Sequence, residues 1–245
     1  MQIIKFGGSV ITNKAIYRRA RIDLLGKLCE RLTGRNDIIL VHGAGSFGHI
    51  MALKYGLERP GKIEGKEEAI SRVTNDVSYL NNVVVKTLIR SGVPSVGIPP
   101  HAIYSEAASD LGVVKRYQES GIIPVLYGDV IIQGKYFRII SGDEIIVDLS
   151  REFRPERVVF LTDVDGLYTA DPKTNPKARL LRNVRSGDLP TGGKGGDATG
   201  AMSGKLRNIR EMMKYTESVV IINGNYPERL GSYLQGRRFV GTVIT

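Results

Sequence analysis

Short apolar segments alternate with longer amphipathic segments along most of the chain. Runs rich in valine and isoleucine predict buried strands over residues 1–6, 38–41, 93–98, 122–127, 158–161 and 218–222. Apolar positions spaced three and four residues apart predict helices over residues 21–32, 67–91, 109–119, 143–152 and 201–214. This alternation predicts an α/β fold, in which helices cover both faces of a mostly parallel sheet.

Two segments depart from this alternation. Residues 130–133 and 135–140 flank Gly134 and predict a small β-hairpin. Residues 191–200 contain five glycines and predict a mobile segment, because glycine leaves the backbone the most conformational freedom.

The chain of 245 residues is long enough for one large α/β domain or for two closely joined lobes. The first glycine-rich loops and the long helix precede a seam near residues 148–155, and further polar loops follow it. We therefore expect residues 1–150 to hold an acceptor molecule and residues 151–245 to hold a nucleotide, with one sheet shared between them.

The composition limits the classes of protein to which this chain can belong. Cys29 is the only cysteine, which excludes a disulfide within the chain and a cysteine-based metal cluster. The N-terminus lacks the pattern of a signal peptide, and no apolar run approaches the roughly 18–20 residues of a membrane span, so we expect a cytoplasmic protein. A net charge of +10 favours anionic partners, but the basic residues are scattered and lack the aromatic residues of a nucleic-acid platform.

The segment Ile-Ile-Leu-Val-His-Gly-Ala-Gly-Ser-Phe-Gly-His at residues 38–49 carries the strongest local signal. An apolar strand runs into a loop whose glycines allow an oxyanion to approach the backbone N–H groups. His49 is placed to contact such an anion, whereas His42, at the end of the apolar run, is better explained as a structural residue. A tight strand-to-helix turn with incidental histidines is the alternative interpretation.

Two more segments pair a lysine with glycines. Lys5 directly precedes Gly7, Gly8 and Ser9 at the end of the first strand, an arrangement that suits a polyphosphate although it matches neither the P-loop nor the dinucleotide motif. Lys14 follows on the turn that leads away from these glycines. Lys205 lies one turn inside a predicted helix after the motif Asp-Ala-Thr-Gly-Ala-Met-Ser-Gly, where the helix N-terminus favours anions. Lysines beside two glycine-rich cradles indicate charge neutralisation during phosphoryl transfer.

Two acidic segments leave alternatives open. In Ser-Gly-Asp-Glu at residues 141–144, Asp143 either orients a lysine or caps the following helix, and capping is the simpler role. In Thr-Asp-Val-Asp-Gly at residues 162–166, with Tyr168 and Asp171 nearby, a nucleoside pocket is indicated. Asp163 and Asp165 also suit a divalent metal ion, although an aspartate before glycine is an ordinary turn signal.

Taken in order, these motifs resemble the amino-acid kinase superfamily over essentially the whole chain. Three details resemble the isopentenyl phosphate kinase family: Gly-Gly-Ser-Val-Ile-Thr-Asn-Lys at residues 7–14, Gly-Ser-Phe-Gly-His at 45–49, and Ile-Asn-Gly-Asn-Tyr-Pro-Glu-Arg at 222–229. The resemblance implies a three-layer αβα sandwich and in-line transfer of a phosphoryl group from ATP, with Mg²⁺, to isopentenyl phosphate in an archaeal-type mevalonate route. It also implies a cytoplasmic homodimer that binds an isoprenoid monophosphate, with no nucleic-acid or membrane partner.

The resemblance implies a role for each motif. Neutralisation of the transferring phosphoryl group is implied for Lys5, Lys14 and Lys205. Binding of the substrate phosphate is implied for Gly43, Ala44, Gly48, His49, Gly142 and Asp143. Binding of ATP is implied for Lys5, Gly7, Gly8, Ser9, Gly45, Thr162, Asp163, Gly166, Tyr168, Gly200, Gly204 and Lys205, and no metal-ligating side chain is assigned. Ala44 stands where many relatives have glycine, and Glu144 where aspartate is frequent.

An apolar stripe on the long helix bears on the acceptor. It consists of Val73, Val77, Leu80 and Val84, and core packing is its default explanation. If the resemblance holds, the exposed upper end of the stripe faces an isoprenoid chain. A uridylate-type or carboxylate kinase of the same superfamily, an inactive nucleotide sensor and a nucleic-acid-binding protein are the alternative functions.

Overall fold

The computed structural model describes residues 1–105, 109–170, 172, 174–189 and 200–245, with the backbone alone at 200–203. The strands are β1 (Gln2–Phe6), β2 (Ile38–His42), β3 (Gly61–Lys62), β4 (Ser95–Gly97), β5 (Ile123–Tyr127), β6 (Asp129–Gln133), β7 (Tyr136–Ile140), β8 (Arg157–Thr162), β9 (Leu167–Tyr168), β10 (Leu180–Leu181), β11 (Asn183–Val184), β12 (Ser218–Asn223) and β13 (Gly241–Ile244). The helices are α1 (Gly8–Ile11), α2 (Ile22–Glu30), α3 (Gly45–Tyr55), α4 (Glu67–Arg90), α5 (Pro100–Ile103), α6 (Gly112–Glu119), α7 (Gly142–Phe153), α8 (Gly200–Met212) and α9 (Pro227–Leu234). The predicted mobile segment, apart from Gly200, and Asp171 lie outside the described residues.

One eight-stranded sheet runs through the molecule in the order β11-β13-β12-β8-β1-β2-β5-β4. Neighbouring strands are parallel except for β12 and β13, which are antiparallel. Phe6 is in register with His42 on one side and with Leu161 on the other, so the C-terminal ends of β1, β2 and β8 lie at the same edge of the sheet. The predicted mostly parallel sheet is confirmed, and it brings the glycine-rich loops together.

Helices cover both faces of the sheet, because the strands are apolar on both sides. Ile3 packs in a core with residues of α6, α7 and α8, whereas its neighbour Ile4 packs in a second core with residues of α2, α4 and α9. Alternate residues of one strand thus enter opposite cores, as strand geometry requires. The molecule is the predicted three-layer αβα sandwich.

The predicted hairpin is present as β6 and β7, which turn at Gly134 with a φ of 58°. Strand β3 pairs with β7 and completes a three-stranded antiparallel sheet beside the main one. Val130 and Phe137 of this small sheet pack against Met51 of α3 and Val73 of α4 in a third apolar cluster. This cluster lies beside the edge of the sheet where the glycine loops meet.

Helix α3, helix α9 and strand β13 are among the elements absent from the prediction, and helix α6 is shorter than predicted. Residues 45–49 were assigned to the glycine-rich loop and residues 50–55 to no element, but together they form α3, whose start is hidden in the sequence by glycines and whose apolar residues are buried on several sides. Helix α9 and the antiparallel strand β13 were also missed. Helix α6 begins at Gly112, because Ser109 instead forms a β-bridge with Tyr104. Within the described ranges, no helix has the length and apolar character that a membrane crossing requires.

Candidate active site

The two glycine-rich loops contact each other through their backbones at the edge of the sheet. A Cβ added at Gly8 would lie 2.5 Å from the backbone nitrogen of Gly45, and one added at Gly43 would lie 2.7 Å from that of Gly8. Gly45 also has a φ of +50°, a backbone conformation that residues with a Cβ rarely adopt. Glycine is therefore required here by close backbone approach, and the contact places the predicted Gly7–Gly8 and Gly43–Gly45 cradles side by side.

Lys5 forms a largely buried ion pair with Asp143, whose Oδ1 lies 2.7 Å from the lysine Nζ. Burial raises the pKa of Asp143, but the charges of Lys5 and Lys205 outweigh it and hold the pKa below its ordinary value. The interpretation of Asp143 as a helix cap is wrong. Ser141 caps α7, because its hydroxyl accepts a hydrogen bond from the backbone of Glu144 while the Glu144 carboxylate accepts one from the backbone of Ser141. This capping leaves the Asp143 carboxylate to face Lys5.

Lys205 reaches the same place from α8. Its Nζ lies 5.6 Å from the centroid of the Phe160 ring, and the Nζ of Lys5 lies 5.7 Å from that centroid. Burial lowers the pKa of Lys205, and the charge of Lys5 lowers it further, while Asp143 and Asp163 raise it. Two ammonium groups therefore converge above one aromatic ring, an arrangement in which an anion between them relieves their repulsion.

Lys14 is the third lysine of the predicted site, after Lys5 and Lys205. Its Nζ lies 2.9 Å from Oδ2 of Asp163, and the lysine side chain is 64% exposed. We call Lys5, Lys14, Lys205, Asp143 and Asp163 the lysine–aspartate cluster. Its formal charge is +1, so the cluster attracts an anion while every ammonium group still feels a carboxylate.

The two histidines of the 38–49 segment have different surroundings. His42 is fully buried, with Nδ1 3.2 Å from the carbonyl oxygen of Gly43 and Nε2 3.2 Å from Asn81, and burial lowers its pKa to about 4. These contacts agree with the structural role that the sequence predicts for His42. His49 lies in the second turn of α3 and keeps contact with solvent. The protein packed around His49 lowers its pKa, and the charges of Lys5 and Lys14 lower it further.

A cavity of about 130 Å³ opens between the glycine loops, the hairpin and α4. The polar part of its lining is formed by Lys5, Gly43, Ala44, Gly48, His49, Gly128, Asp129, Ser141, Gly142 and Asp143. Its apolar side is formed by Ala52, Val73, Val77, Val130, Ile139 and Ile140. The predicted stripe divides here, because Val73 and Val77 line the cavity whereas Leu80 and Val84 pack in the core. The cavity is amphipathic, with its charged part at the lysine–aspartate cluster.

Two small residues shape the polar side of this cavity. A Cβ at Gly48 would lie 2.6 Å from the Cβ of Ala44, so the methyl group at Ala44 fills space that a side chain at residue 48 would need. A Cβ at Gly142 would lie 3.3 Å from the Lys5 side chain and from the carbonyl oxygen of His42. Larger residues at these positions would displace the groups that face the cavity.

The predicted nucleotide side begins where β8 ends. Thr162 donates its hydroxyl hydrogen bond to the carbonyl oxygen of Val164 and so shapes the turn that presents Asp163. A Cβ at Gly166 would lie 2.2 Å from Oγ1 of Thr242, which also accepts a hydrogen bond from the backbone of Leu167. Gly166 is thus required by packing against β13. Tyr168 follows in β9, half-buried.

Helix α1 and helix α8 carry further residues of the predicted nucleotide site. Ser9 lies half-buried in α1, directly after the glycines that contact the second loop. The backbone of α8 begins at Gly200. Beside Gly204, one residue before Lys205, an added Cβ would meet no atom of the residues that the structure describes within 4 Å.

Asp165 is held by residues that the motif analysis did not assign. Asn223 and Arg229 donate hydrogen bonds to its Oδ1 over 2.9 and 2.6 Å. Although burial raises the pKa of Asp165, these hydrogen bonds keep it below the ordinary value. The 222–229 motif was the available signal for Asn223 and Arg229. The interpretation of Asp165 as a metal ligand loses support, because its carboxylate serves the protein's own network.

Comparisons with known proteins agree with this geometry. Residues 1–223 match the model of the amino acid kinase family. The isopentenyl phosphate kinase of Thermoplasma acidophilum is 38% identical over the full length of both chains, and that of Methanothermobacter thermautotrophicus is 36% identical over all of this chain and 99% of its relative. The crystal structure of the T. acidophilum isopentenyl phosphate kinase product complex covers both chains completely, with a TM-score of 0.88 and 37% identity. The chain therefore belongs to the amino acid kinase family and, within it, to the isopentenyl phosphate kinases.

Proposed function

We propose that this protein transfers the γ-phosphoryl group of ATP to isopentenyl phosphate and forms isopentenyl diphosphate by direct in-line displacement. The observation that carries the proposal is the amphipathic cavity, whose lining includes Lys5 and Asp143 of the lysine–aspartate cluster together with the aliphatic side chains of Val73, Val77, Val130, Ile139 and Ile140. A monophosphate with a short hydrocarbon tail matches both parts of this lining.

The acceptor phosphate binds at the polar side of the cavity. His49 donates an N–H to a phosphate oxygen, and the backbone at Gly43, Ala44, Gly48 and Gly142 completes the cradle. The negative charge of a bound phosphate would raise the pKa of His49, against the lowering caused by the surrounding protein and by Lys5 and Lys14. Asp143 holds Lys5 at the position where the acceptor and donor phosphates meet.

The donor binds on the other side of the cluster. Gly7, Gly8, Ser9 and Gly45 contact the phosphates, and the turn with Thr162, Asp163, Gly166 and Tyr168 contacts the nucleoside together with Gly200 and Gly204. Lys5, Lys14 and Lys205 neutralise the charge on the transferring group, which is where phosphoryl transfer gains most of its rate. Residues 1–150 form the acceptor lobe and residues 151–245 the nucleotide lobe, and Gly7, Gly8, Ser9 and Gly45 of the acceptor lobe reach across to the phosphates of ATP.

Mg²⁺ fits this site as the companion of ATP. No group of three or more histidine, cysteine, aspartate or glutamate residues within the described part of the chain is arranged to hold a metal ion. Mg²⁺ is commonly bound through one or two carboxylates together with substrate phosphates and water, and Asp163, whose lysine partner is exposed, would supply a carboxylate here. When bound, the ion would offset the negative charge of the phosphates.

The protein also acts, in our proposal, as a cytoplasmic homodimer. Strand β4 is a terminal strand of the main sheet, and such strands are templates for pairing with another chain. Light scattering on the purified protein measures the mass directly, and a monomer at micromolar concentration would contradict the dimer.

A panel of monophosphates tests the reaction. Isopentenyl, dimethylallyl, geranyl and uridine monophosphates are assayed with ATP and Mg²⁺ by following ADP release. We expect the highest kcat/KM for isopentenyl phosphate, because the aliphatic side of the cavity offers little to a nucleobase. A preference for uridine monophosphate, or turnover of none of the four, would contradict the proposal.

A further inference from the structure

The segment that carries Lys14 is a surface loop. Residues 12–20, here named the Lys14 loop, connect α1 to α2, and every side chain from 13 to 19 is exposed. Its two ends are joined by a β-bridge between Thr12 and Ala20, and Thr12 is fixed to α3 because its Oγ1 accepts a hydrogen bond from the backbone of Ser46. Together with a backbone hydrogen bond from Asn13 to the carbonyl oxygen of Arg19, these contacts hold the base of the loop, and residues 14–18 form its tip.

A buried carboxylate on α4 holds the tip. The hydroxyl of Tyr17 donates a hydrogen bond to Oδ2 of Asp76, and Nη1 of Arg18 lies 3.4 Å from Oδ1. The Asp76 side chain is only 4% exposed although it lies in the middle of a helix. Burial of a carboxylate is costly unless it is paired and hydrogen-bonded, and here the partners that compensate for it come from the Lys14 loop.

The backbone of the loop supports the same conclusion. Arg18 has a φ of 54°, in the left-handed region that residues with a Cβ rarely adopt. Such a conformation persists only where the surroundings enforce it. The guanidinium of Arg18 stacks 4.8 Å from the centroid of the Tyr79 ring, and that ring stacks in turn on Phe47 of α3. The tip of the loop is therefore held by contacts with Asp76 and Tyr79, which lie one turn apart on α4.

The position of Asp76 connects the loop to the acceptor cavity. Val73 and Val77, which lie three residues before and one residue after Asp76, line the cavity from the same helix. Lys14 itself, on the loop, makes only the exposed ion pair with Asp163 among the contacts described for its side chain. Helix α4 thus contributes both a wall of the cavity and the anchor for a cation on the donor side.

We propose that Asp76 is a positioning residue for phosphoryl transfer, which acts through Tyr17 and Arg18 to hold Lys14 at the transferring group. Its loss would leave both substrates bound but Lys14 misplaced. Since misplacement by about 1 Å can cost on the order of 100-fold in rate, we expect kcat to fall by roughly 10-fold or more. The KM for the acceptor would stay within about twofold, because a transition-state contact is removed.

A double-mutant cycle tests the coupling. Asp76→Asn removes the charge with little change in shape, and Tyr17→Phe removes only the hydroxyl donor, so it tests the anchor even if Asp76→Asn folds poorly. Each is measured alone and combined with Lys14→Ala. We expect each single variant to lower kcat and to add less than about twofold in the Lys14→Ala background. Unchanged kcat in both single variants, or full additivity with Lys14→Ala, would overturn the proposal. Glu119→Gln, which removes an exposed partner of Lys115 on α6, is the matched control.

A second measurement is independent of catalysis, since the kinetic arm rests on the proposed function. Lys14, Arg18 and Arg19 are trypsin sites inside the loop. Release of the tip in Asp76→Asn or Tyr17→Phe should speed cleavage there several-fold relative to cleavage elsewhere in the chain. Equal cleavage rates in wild type and both variants would refute the anchor even if the enzyme is active. Absence of isopentenyl phosphate turnover in the wild type would refute the proposed function and leave the proteolysis result valid.

Discussion

Two ion pairs of the same chemistry lie on either side of the candidate site. Lys5 and Asp143 are 2.7 Å apart with side chains 10% and 20% exposed, whereas Lys14 and Asp163 are 2.9 Å apart with side chains 64% and 34% exposed. The first pair joins a central strand to the capped start of α7, and the second joins a surface loop to a turn after β8. The two pairs have similar distances between nitrogen and oxygen, but they differ in how far their side chains are buried. The inner pair is largely shielded from solvent, whereas solvent reaches both side chains of the outer pair.

The largest expected effect concerns Lys205, whose ammonium group lies with that of Lys5 above the Phe160 ring. Lys205→Ala should lower kcat by about 100- to 1,000-fold with little change in either KM, because preorganised charge acts mainly in the transition state. Steady-state kinetics with ATP and isopentenyl phosphate measures both parameters. An effect confined to KM would assign Lys205 to ground-state binding instead.

The two aspartates give the most direct test of the comparison. Asp143→Asn leaves buried Lys5 beside Lys205 without its carboxylate and should lower the free energy of unfolding by about 3 kcal/mol. Asp163→Asn removes an exposed partner and should cost under about 1 kcal/mol. Urea unfolding measures both, and equal losses would show that burial does not distinguish the pairs.

Loss of the His49 ring should weaken the binding of the acceptor, isopentenyl phosphate. A hydrogen bond to a charged group contributes about 1.5–3 kcal/mol, so His49→Ala should raise the KM for isopentenyl phosphate by roughly 10-fold or more and leave the KM for ATP nearly unchanged. Kinetics with each substrate varied in turn separates the two. An unaltered acceptor KM would remove His49 from the phosphate cradle.

The pH dependence of stability should carry the signature of Asp143. Its folded pKa lies below the ordinary value of 3.8, so its contribution is fully present above that value and is lost as the pH falls through the folded pKa. The difference in unfolding free energy between wild type and Asp143→Asn should therefore be constant above about pH 5 and shrink below about pH 4. A difference that persists undiminished at the acid limit would point to packing rather than charge.

The smallest expected effect is a shift in the His49 titration. Burial, then Lys5, then Lys14 lower the pKa of His49, so Lys5→Ala should raise it more than Lys14→Ala. The chain has three histidines, and the other two titrate apart, because burial lowers the pKa of His42 to about 4 and the hydrogen bond to Asp129 raises that of His101. NMR titration of the imidazole protons measures the shift. A larger shift in Lys14→Ala would show that Lys14, the lysine of the outer pair, acts on His49 more strongly than Lys5, the lysine of the inner pair.

Much of the fold could be predicted because its signals are local. The alternation of apolar runs with amphipathic segments predicted the central strands and the main helices, and Gly134 predicted the hairpin turn. Helix α3 could not be recognised in the same way, since glycines open it and its apolar residues face several directions. Strand β13 carries Gly241 and pairs antiparallel at the far side of β12, so the parallel pattern gave no indication of it.

The sequence by itself determined which residue types follow each central strand, because a strand end and the glycines beside it are neighbours in the chain. It therefore determined the parallel α/β sheet, the glycine cradles and the presence of lysines beside them. Only the tertiary structure decided the partners: Lys5 with Asp143 across 138 positions, Lys14 with Asp163 across 149, and Tyr17 with Asp76 across 59. Ion pairs and burial depend on distances in space, which the packing of α4, α7 and α8 on the sheet sets and no local pattern encodes.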